Sequence, residues 1–381
     1  MSPLHYFFGE NLHSGELTTP FFMYQSLLKT DHYQVIGITD TLVHYVPQEG
    51  EKLIYRRKAT KTHFYQLYEM LTFIVFYSFQ STKLLMTHEI NIFHHVLPFA
   101  IGKTFNPIIL LTRFFSPKTH ICVGPLQMND NACHMINKGI GGRFLFFLSI
   151  STLKCAHKVV AMNSTTSSYL ESIGIESKRI ITIPIGIINR KNIPARRYAA
   201  IMHKKQLNLI TISTLVHRKG TDLLVRAMGE LHKAGYPCHL KIIGSGVEME
   251  SLRVLSHELG VGKHIEFLGT VPYERLTDCA KDSHIFVSMS RSESFGQMYL
   301  DAMDLGLPII ASRNTGSSDI VRPEFGILVD QEDYRALATH IISSIEYPPL
   351  LSTMSKTARE AAKAYDWYDG LIDKYSRLVY Q

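Results

Sequence analysis

Six short apolar runs in the second half of the chain, spaced by segments of helical length, restrict the fold more than any other feature of the sequence. They lie at 209–213, 239–243, 265–268, 285–289, 308–311 and 326–329. Each is rich in Ile, Val, Leu or Phe with little alternation, as expected of strands buried on both faces of a parallel sheet. Between them, 221–234 closed by Gly235 and 248–259 closed by Gly260 have the spacing and terminal glycine of helices. Strands alternating with helices predict a doubly wound α/β domain.

The first half reads similarly but less regularly. Strands are expected at 4–8, 34–38, 83–87, 120–123, 158–162 and 179–183, with helices around 17–29 and 165–172. A polar, basic joint at 189–197, containing Pro194, marks a boundary, and 351–364 and 367–380 read as two closing helices. A chain of 381 residues exceeds one ordinary core. The expected division is an acceptor-side domain at 1–188, a nucleotide-side domain at 189–360 and a terminal helical segment at 361–381.

Composition excludes several classes. Five scattered cysteines without a C-x-x-C pair argue for a reducing compartment and against a disulfide framework or zinc site. Residues 1–9 lack a basic leader, and the most apolar stretch, 64–79, is interrupted by Gln66, Glu69 and Ser78 and is short for a membrane span. The expectation is a soluble, cytoplasmic protein. Residues 1–190 carry 17 Lys and Arg against 11 Asp and Glu, whereas 191–381 carry 23 against 22, so nearly all of the net +7 lies in the first half. Arg56-Arg57-Lys58 and Lys61, followed by the aromatic-rich 64–79, suit an anionic membrane surface; a solvated loop leading into a core helix is the plainer alternative. No helix-turn-helix, RNP or zinc-finger pattern appears, so nucleic acid is not an expected partner.

The densest chemistry is Ser292-Glu293-Ser294-Phe295-Gly296-Gln297, continuing through Asp301-Ala302-Met303 to Gly306-Leu307-Pro308. It follows an expected strand and opens an expected helix, with Ser294 and Gln297 at capping-box spacing. The free N–H groups and positive dipole end there suit a phosphate. Glu293 falls on the loop at the strand's C-terminal end, where open α/β sheets bind ligands. Asp301, four residues after Gln297, shares its helix face. Two carboxylates beside an anion seat are costly unless they meet hydroxyls, which a nucleotide sugar offers on both sides of its diphosphate. A capped helix with solvated acids is the bland alternative. Arg218-Lys219-Gly220, between another expected strand and helix, places cations where phosphoryl oxygens gain charge as a glycosidic bond breaks. Gly244-Ser245-Gly246 after a strand permits close approach of a ligand but is a weak signal, equally read as a tight turn.

These stretches resemble the retaining glycosyltransferases of family 4, whose signature is a Glu, then F-G, then a second acid eight positions after the first. The pattern falls on Glu293, Phe295, Gly296 and Asp301, with Asp where the family usually has Glu. Gly306–Ser312 is similar to the family's G-x-P-V-I-A-S, and Thr315–Asp319 to its T-G-G-x-x-E with Ser317 for the second glycine. Lys219 falls on the lysine of the diphosphate clamp, and Thr214 stands where its arginine is usual, with Arg218 as the neighbouring cation. In the first half, Gly15 stands for the donor-loop glycine, Gly124-Pro125-Leu126-Gln127 resembles a G-P-x-G-G-G turn, and Ile183–Ile187 resembles I-P-N-G-I with Ile185 for Asn. The resemblance is specific over 214–318 and loose before 155.

It implies a GT-B fold, two doubly wound Rossmann-like domains facing a central cleft, with the last helix crossing back to the first domain. It further implies retaining transfer of a hexosyl sugar from a nucleotide-diphosphate donor, without cofactor or bound metal. In that reading Glu293 meets the transferred sugar, Lys219 and Arg218 meet the leaving nucleotide, Asp301 meets the ribose, and Gly15, Gly244, Phe295, Gly296 and Gln297 shape the donor site. The expected acceptor is a glycan, lipid-linked as in lipopolysaccharide or other surface polysaccharide synthesis, with the protein peripheral on the cytoplasmic membrane face. His88 at the end of an expected strand, and Gln127, are acceptor-side candidates; for His88 a packed histidine is the commoner role. Thr87-His88-Glu89 with His94-His95 is not H-E-x-x-H, because Ile92 holds the second histidine's place. A nucleotide-sugar epimerase, a phosphorylase and a non-catalytic scaffold of the same fold remain alternatives.

Overall fold

The computed structural model describes residues 36–38, 42–45, 52–56, 91–95, 107–126, 139–190, 193, 198, 207–236 and 238–380. The chain divides into two compact units, Met1–Ile185 with Gly370–Gln381, and Gly186–Asp369. The expected elements at 4–8, 17–29 and 83–87, the stretch 64–79, and Gly15, His88 and Gln127 lie outside the described residues.

The first unit carries a small antiparallel sheet, β1 (Ile36–Ile38), β2 (Leu42–Tyr45) and β3 (Lys52–Arg56). Its main sheet is parallel, with β4 (Ile92–His95), β5 (His120–Leu126), β6 (Lys158–Ala161) and β7 (Ile180–Thr182) side by side in that order. Helices α1 (Pro107–Phe115), α2 (Gly139–Cys155) and α3 (Ser164–Ser172) connect them. Asn163 starts α3 by accepting a hydrogen bond from the Thr166 amide at 2.8 Å, the use for which Asn is favoured at a helix start. Ile109, Ile121, Val123, Leu153, Val159 and Leu170 form the core.

Gly124-Pro125-Leu126 is not a turn after a short strand; β5 runs on through Leu126, and its register with β6 shifts between Val123 and Leu126. Pro125 has no N–H to give a ladder, and a shift absorbs that loss. Gly124 has φ +132°, and a Cβ there would stand 2.5 Å from the Val160 carbonyl oxygen, so only glycine lets the two strands approach.

The second unit holds six parallel strands: β8 (Leu207–Ile212), β9 (Cys238–Ile243), β10 (Ile265–Gly269), β11 (Ile285–Ser288), β12 (Ile309–Ser312) and β13 (Gly326–Val329). Each overlaps one of the six apolar runs. Their spatial order is β10-β9-β8-β11-β12-β13, so the chain builds outward from β8, returns beside it at β11, and builds outward again. Helices α4 (Thr221–Lys233), α5 (Met249–Glu258), α6 (Leu276–Ala280), α7 (Gln297–Asp304), α8 (Thr315–Ile320), α9 (Tyr334–Glu346) and α10 (Pro348–Ala362) follow in chain order. Buried Leu209, Leu224, Met228, Leu240, Val287 and Ile341 belong to one core cluster.

The second unit closes on a short pairing of its two ends. Ile187 donates its amide to the Tyr365 carbonyl at 2.9 Å, and Trp367 donates to the Ile187 carbonyl at 2.9 Å. The Asp366 carboxylate accepts from the amides of Asn189, Tyr368 and Asp369 at 2.7–3.0 Å. Trp367 is fully buried beside it. The expected single helix over 367–380 is instead a π-helical turn, Trp367–Leu371, and α11 (Ile372–Leu378). Residues 370–381 belong to the first unit, where the Val379 carbonyl accepts from the Cys122 thiol at 3.3 Å and Tyr380 meets His94.

His94 and His95 are side by side on β4, inside the first unit's sheet. His94 Nε2 donates to the Gly124 carbonyl at 3.0 Å, which leaves Nδ1 to accept from the Tyr380 hydroxyl at 2.8 Å. That pairing fixes one neutral tautomer, and burial lowers the His94 pKa to about 4 despite the carbonyl contact.

Candidate functional site

In an open α/β sheet the loops at the C-terminal strand ends form the ligand rim, and the place where strand order reverses is the natural crevice. Here that place lies between β8 and β11. The loop after β8 makes a 3-10 turn, His217–Lys219, and enters α4 through Gly220 at φ +60°. A Cβ on Gly220 would stand 1.9 Å from the Met289 carbonyl oxygen, so a glycine allows the β8 and β11 loops to touch. Gly244 is placed in the same manner against the β8 end, with a hypothetical Cβ 1.8 Å from the Ser213 carbonyl oxygen at φ +130°.

This contact joins the two strongest sequence candidates. Lys219 Nζ forms an ion pair and hydrogen bond with Glu293 Oε2, and both side chains are largely buried. Arg218 is half-exposed, with its Nη1 donating to the Ser292 carbonyl at 2.7 Å and standing 4.0 Å from Glu293 Oε2. Residues 74 positions apart in sequence thus bring one carboxylate and two cations to the rim at the strand-order reversal.

A residue that sequence reasoning passed over holds the two loops together. Arg291 makes a forked pair with Asp222 at 2.8 and 2.9 Å, binds Glu332 at 2.6 Å, and donates to the His217 carbonyl at 2.7 Å. Its own amide donates to the Arg218 carbonyl at 2.9 Å. Hydrogen bonds to Asp222 and Glu332 hold its pKa above the ordinary arginine value, against a smaller effect of burial. The only sequence signal was a basic residue two positions before the glutamate in the same loop. Its partners, one on α4 and one after β13, are remote in sequence.

The helix opening after Glu293 differs from expectation. No Ser294–Gln297 capping box forms; Gly296, in left-handed conformation at φ +81°, caps α7, which starts at Gln297. The left-handed turn needs a residue without Cβ, because one here would lie 2.6 Å from the Tyr299 ring. The F-G pair therefore builds the turn: Phe295 is buried in packing and Gly296 makes the bend. Gly316 supports the same loop. Its amide donates to the Glu293 carbonyl at 2.7 Å, and a Cβ would crowd Glu293 Cγ at 3.0 Å and the Phe295 carbonyl oxygen at 2.7 Å.

Asp301 lies on α7 and is 6% exposed. Its Oδ1 accepts from Arg190 Nη2 at 3.1 Å, while Asp304, one turn on, accepts from Arg190 Nη1 at 2.8 Å and from the Arg190 amide. The guanidinium also stands 4.5 Å from the centre of the Tyr273 ring. Burial alone would lower the Arg190 pKa, but Tyr273, Asp301 and Asp304 outweigh it and raise it. For Asp304 burial prevails over Arg190 and raises the carboxyl pKa. The spacing of Gln297 and Asp301 carried no hint of Arg190, which lies near the start of the second unit, more than a hundred positions earlier.

The rim offers an anion two cations and the positive end of α7, and offers a hydroxyl-bearing group one carboxylate held at a fixed angle. Residues 198–361 match the family model of glycosyl transferases group 1. The chain is 30% identical over 162 residues to a GDP-mannose-dependent alpha-(1-6)-phosphatidylinositol monomannoside mannosyltransferase of Mycolicibacterium smegmatis, covering 40% of this chain and 42% of that protein. It is 31% identical over 180 residues to a D-inositol 3-phosphate glycosyltransferase of Rhodococcus opacus, covering 43% and 40%. The match thus spans less than half the length of these curated relatives. Among solved structures, the apo lipopolysaccharide outer core galactosyltransferase WaaB superposes with TM-score 0.59 at 15% identity, covering 82% of this chain and 81% of its own. The Anabaena protein HepE in complex with UDP superposes with TM-score 0.61 at 16% identity, covering 78% and 80%. These likenesses give the fold as GT-B.

Proposed function

Because residues 198–361 belong to the glycosyl transferases group 1 family, we propose that this chain is a retaining glycosyltransferase taking a hexosyl sugar from a nucleotide-diphosphate donor. The observation that carries the reading is the Lys219–Glu293 pair, with Arg218 beside it, at the strand-order reversal of the second unit. In the reaction the bond between the anomeric carbon and the diphosphate oxygen breaks, and the acceptor hydroxyl oxygen takes its place on the same face while its proton passes to the departing phosphate oxygen. Negative charge gathers on the leaving phosphoryl oxygens. Cations already fixed there by the fold stabilise it without reorganising, which is where electrostatic catalysis is strongest. Lys219 and Arg218 take that role in place of a divalent metal. Glu293, angled by its Lys219 contact and by the Gly316 amide, accepts hydrogen bonds from sugar hydroxyls. Asp301 meets the ribose, and Gly244 and Gly296 keep backbone close to the nucleotide.

The acceptor is proposed to be a lipid-linked glycan. The relatives named for phosphatidylinositol mannoside and the galactosyltransferase named for lipopolysaccharide support it, as does the excess basic charge of the first half. No helix among the described residues is long and apolar enough to cross a membrane. Peripheral attachment at an anionic, cytoplasmic-side membrane surface fits that reading.

The experiment is a transfer assay with labelled UDP-, GDP- and ADP-sugars and lipid-extract acceptors, with the anomeric configuration of the product read by NMR. A glycosylated lipid of retained configuration is the expected result. Inverted configuration would sink the mechanism. Free or epimerised sugar formed without acceptor would instead make the protein an epimerase or hydrolase.

A further inference from the structure

The first unit presents a feature that the nucleotide chemistry does not use. Helices α1 and α2 pack beside each other and bury Ile108, Ile109, Thr112, Ser149, Thr152 and Leu153. On α1 the opposite stripe, at i, i+3 and i+4 spacing, is Leu111, Phe114 and Phe115; on α2 it includes Phe144 and Phe147. Phe114 is 80% exposed, Phe115 59%, Phe144 62% and Phe147 63%. Four exposed phenylalanines on two adjacent helices are far from the scattered single apolar residues of an ordinary surface.

Charge selects what covers them. Arg113, Lys118, Arg143 and Lys154, all exposed, lie on or beside the same two helices. Among the described residues from 91 to 170 there is no Asp or Glu, and in the whole stretch Asp130 is the sole acid against seven Lys and Arg. A protein partner or a second copy of this chain would need acidic groups to meet that rim, and a second copy would set cations against cations. An anionic bilayer offers both needs at once, phosphate headgroups for the rim and acyl chains for the rings.

We propose that the exposed face of α1 and α2 is the membrane-contact surface of this protein, with Phe114, Phe115, Phe144 and Phe147 entering an anionic phospholipid interface and Arg113, Lys118, Arg143 and Lys154 meeting its headgroups. The inference rests on the peripheral-membrane reading above and assigns it a place distinct from Arg56-Arg57-Lys58. It also gives the exchange of a lipid-linked acceptor a physical basis, because the unit proposed to bind acceptor is then the one seated on the lipid.

The test is co-sedimentation of the full chain with vesicles of phosphatidylcholine alone and of phosphatidylcholine mixed with phosphatidylglycerol. The expected result is binding to the mixed vesicles only, weakened by salt. Replacing all four phenylalanines by serine should reduce it by roughly a hundredfold or more, since rings lose their apolar burial. Lys118→Gln, Arg143→Gln and Lys154→Gln together should reduce it by a similar factor while leaving some residual affinity. Neither set touches the nucleotide rim, so nucleotide binding measured on the same samples keeps the donor reading separate, and a cooperative thermal melt of the first unit followed by circular dichroism reports whether the variants are folded. Phe147→Trp adds a probe, because the single native tryptophan, Trp367, is fully buried in the second unit. Its emission should shift to the blue on adding mixed vesicles. Unchanged vesicle binding by the fourfold serine variant, no shift of the Phe147→Trp emission, or loss of binding only on neutralising Arg56–Lys58 would each overturn the assignment. So would a dimer in light scattering that the serine variant dissolves.

Discussion

Replacing Arg190 by methionine isolates a buried electrostatic arrangement of the second unit. The guanidinium serves two carboxylates, and the side chains of Arg190, Asp301 and Asp304 are 11%, 8% and 3% exposed. Methionine fills similar volume but leaves both acids without a cation. Breaking a buried pair by removing one partner costs about 3–5 kcal/mol, and loss of the Tyr273 contact adds about 1 kcal/mol. The loss of about 4–6 kcal/mol is a large share of the roughly 5–15 kcal/mol that holds an ordinary domain. Asp304→Asn in the Arg190→Met background removes one stranded charge and should recover about 2 kcal/mol or more. The variant also carries a pH signature. Burial already raises the Asp304 carboxyl pKa, and removing Arg190 takes away the cation that opposes this, so the native state binds more protons than the unfolded state. Stability then rises as pH falls toward that raised value and is lost as pH rises through it. Urea unfolding followed by tryptophan fluorescence at about pH 8 and about pH 5 reads this. Trp367 belongs to the same unit and reports it directly. A cost under about 1 kcal/mol, or an equal cost at both pH values, would refute the reasoning.

Two further outcomes follow from the packing. His94 has its pKa lowered to about 4 by burial, and adjacent His95 to about 3 by burial and by His94. Unfolded chains bind these protons first, so the first unit should lose stability as pH falls from about 6.5 toward 4, by about 3 kcal/mol for His94 alone. His94→Gln can keep both the Gly124 and Tyr380 contacts and should remove about half of that slope; an unchanged slope contradicts the assignment. Gly220→Ala must hold a left-handed conformation and push against the Met289 carbonyl. It should cost at least about 2 kcal/mol and weaken nucleotide binding by displacing Lys219, and a melt unchanged from the native protein would contradict the close-approach argument.

The second unit was legible in sequence because its six strands are buried on both faces, so each reads as a continuous apolar run; the observed strands differ from those runs only by a residue or two at their ends. The first unit is less legible. Its β4 contains two histidines, and β5 contains Gly124-Pro125, whose tolerance depends on the facing Val160 carbonyl. At the rim, Glu293 and Lys219 could be named from spacing, since each sits between a strand and a helix. Their direct pairing could not, nor could the Arg291 bracket or the Arg190 pair with Asp301 and Asp304, because those join residues 41 to 114 positions apart. Local spacing also favoured a capping box at Ser294, where the left-handed turn at Gly296 prevails instead.

The measurement that most directly tests the donor site is calorimetric titration of UDP-, GDP- and ADP-sugars, without metal, into the native chain, Glu293→Ala and Lys219→Ala. The native protein is expected to bind one nucleotide series. Glu293→Ala should keep affinity for the bare nucleoside diphosphate but lose the part that depends on the sugar. Lys219→Ala should weaken sugar-bearing and bare diphosphates alike, by about tenfold or more for a charge-assisted phosphate contact. No binding by the native protein, or equal losses for both ligands in Glu293→Ala, would contradict the division of labour assigned to this pair.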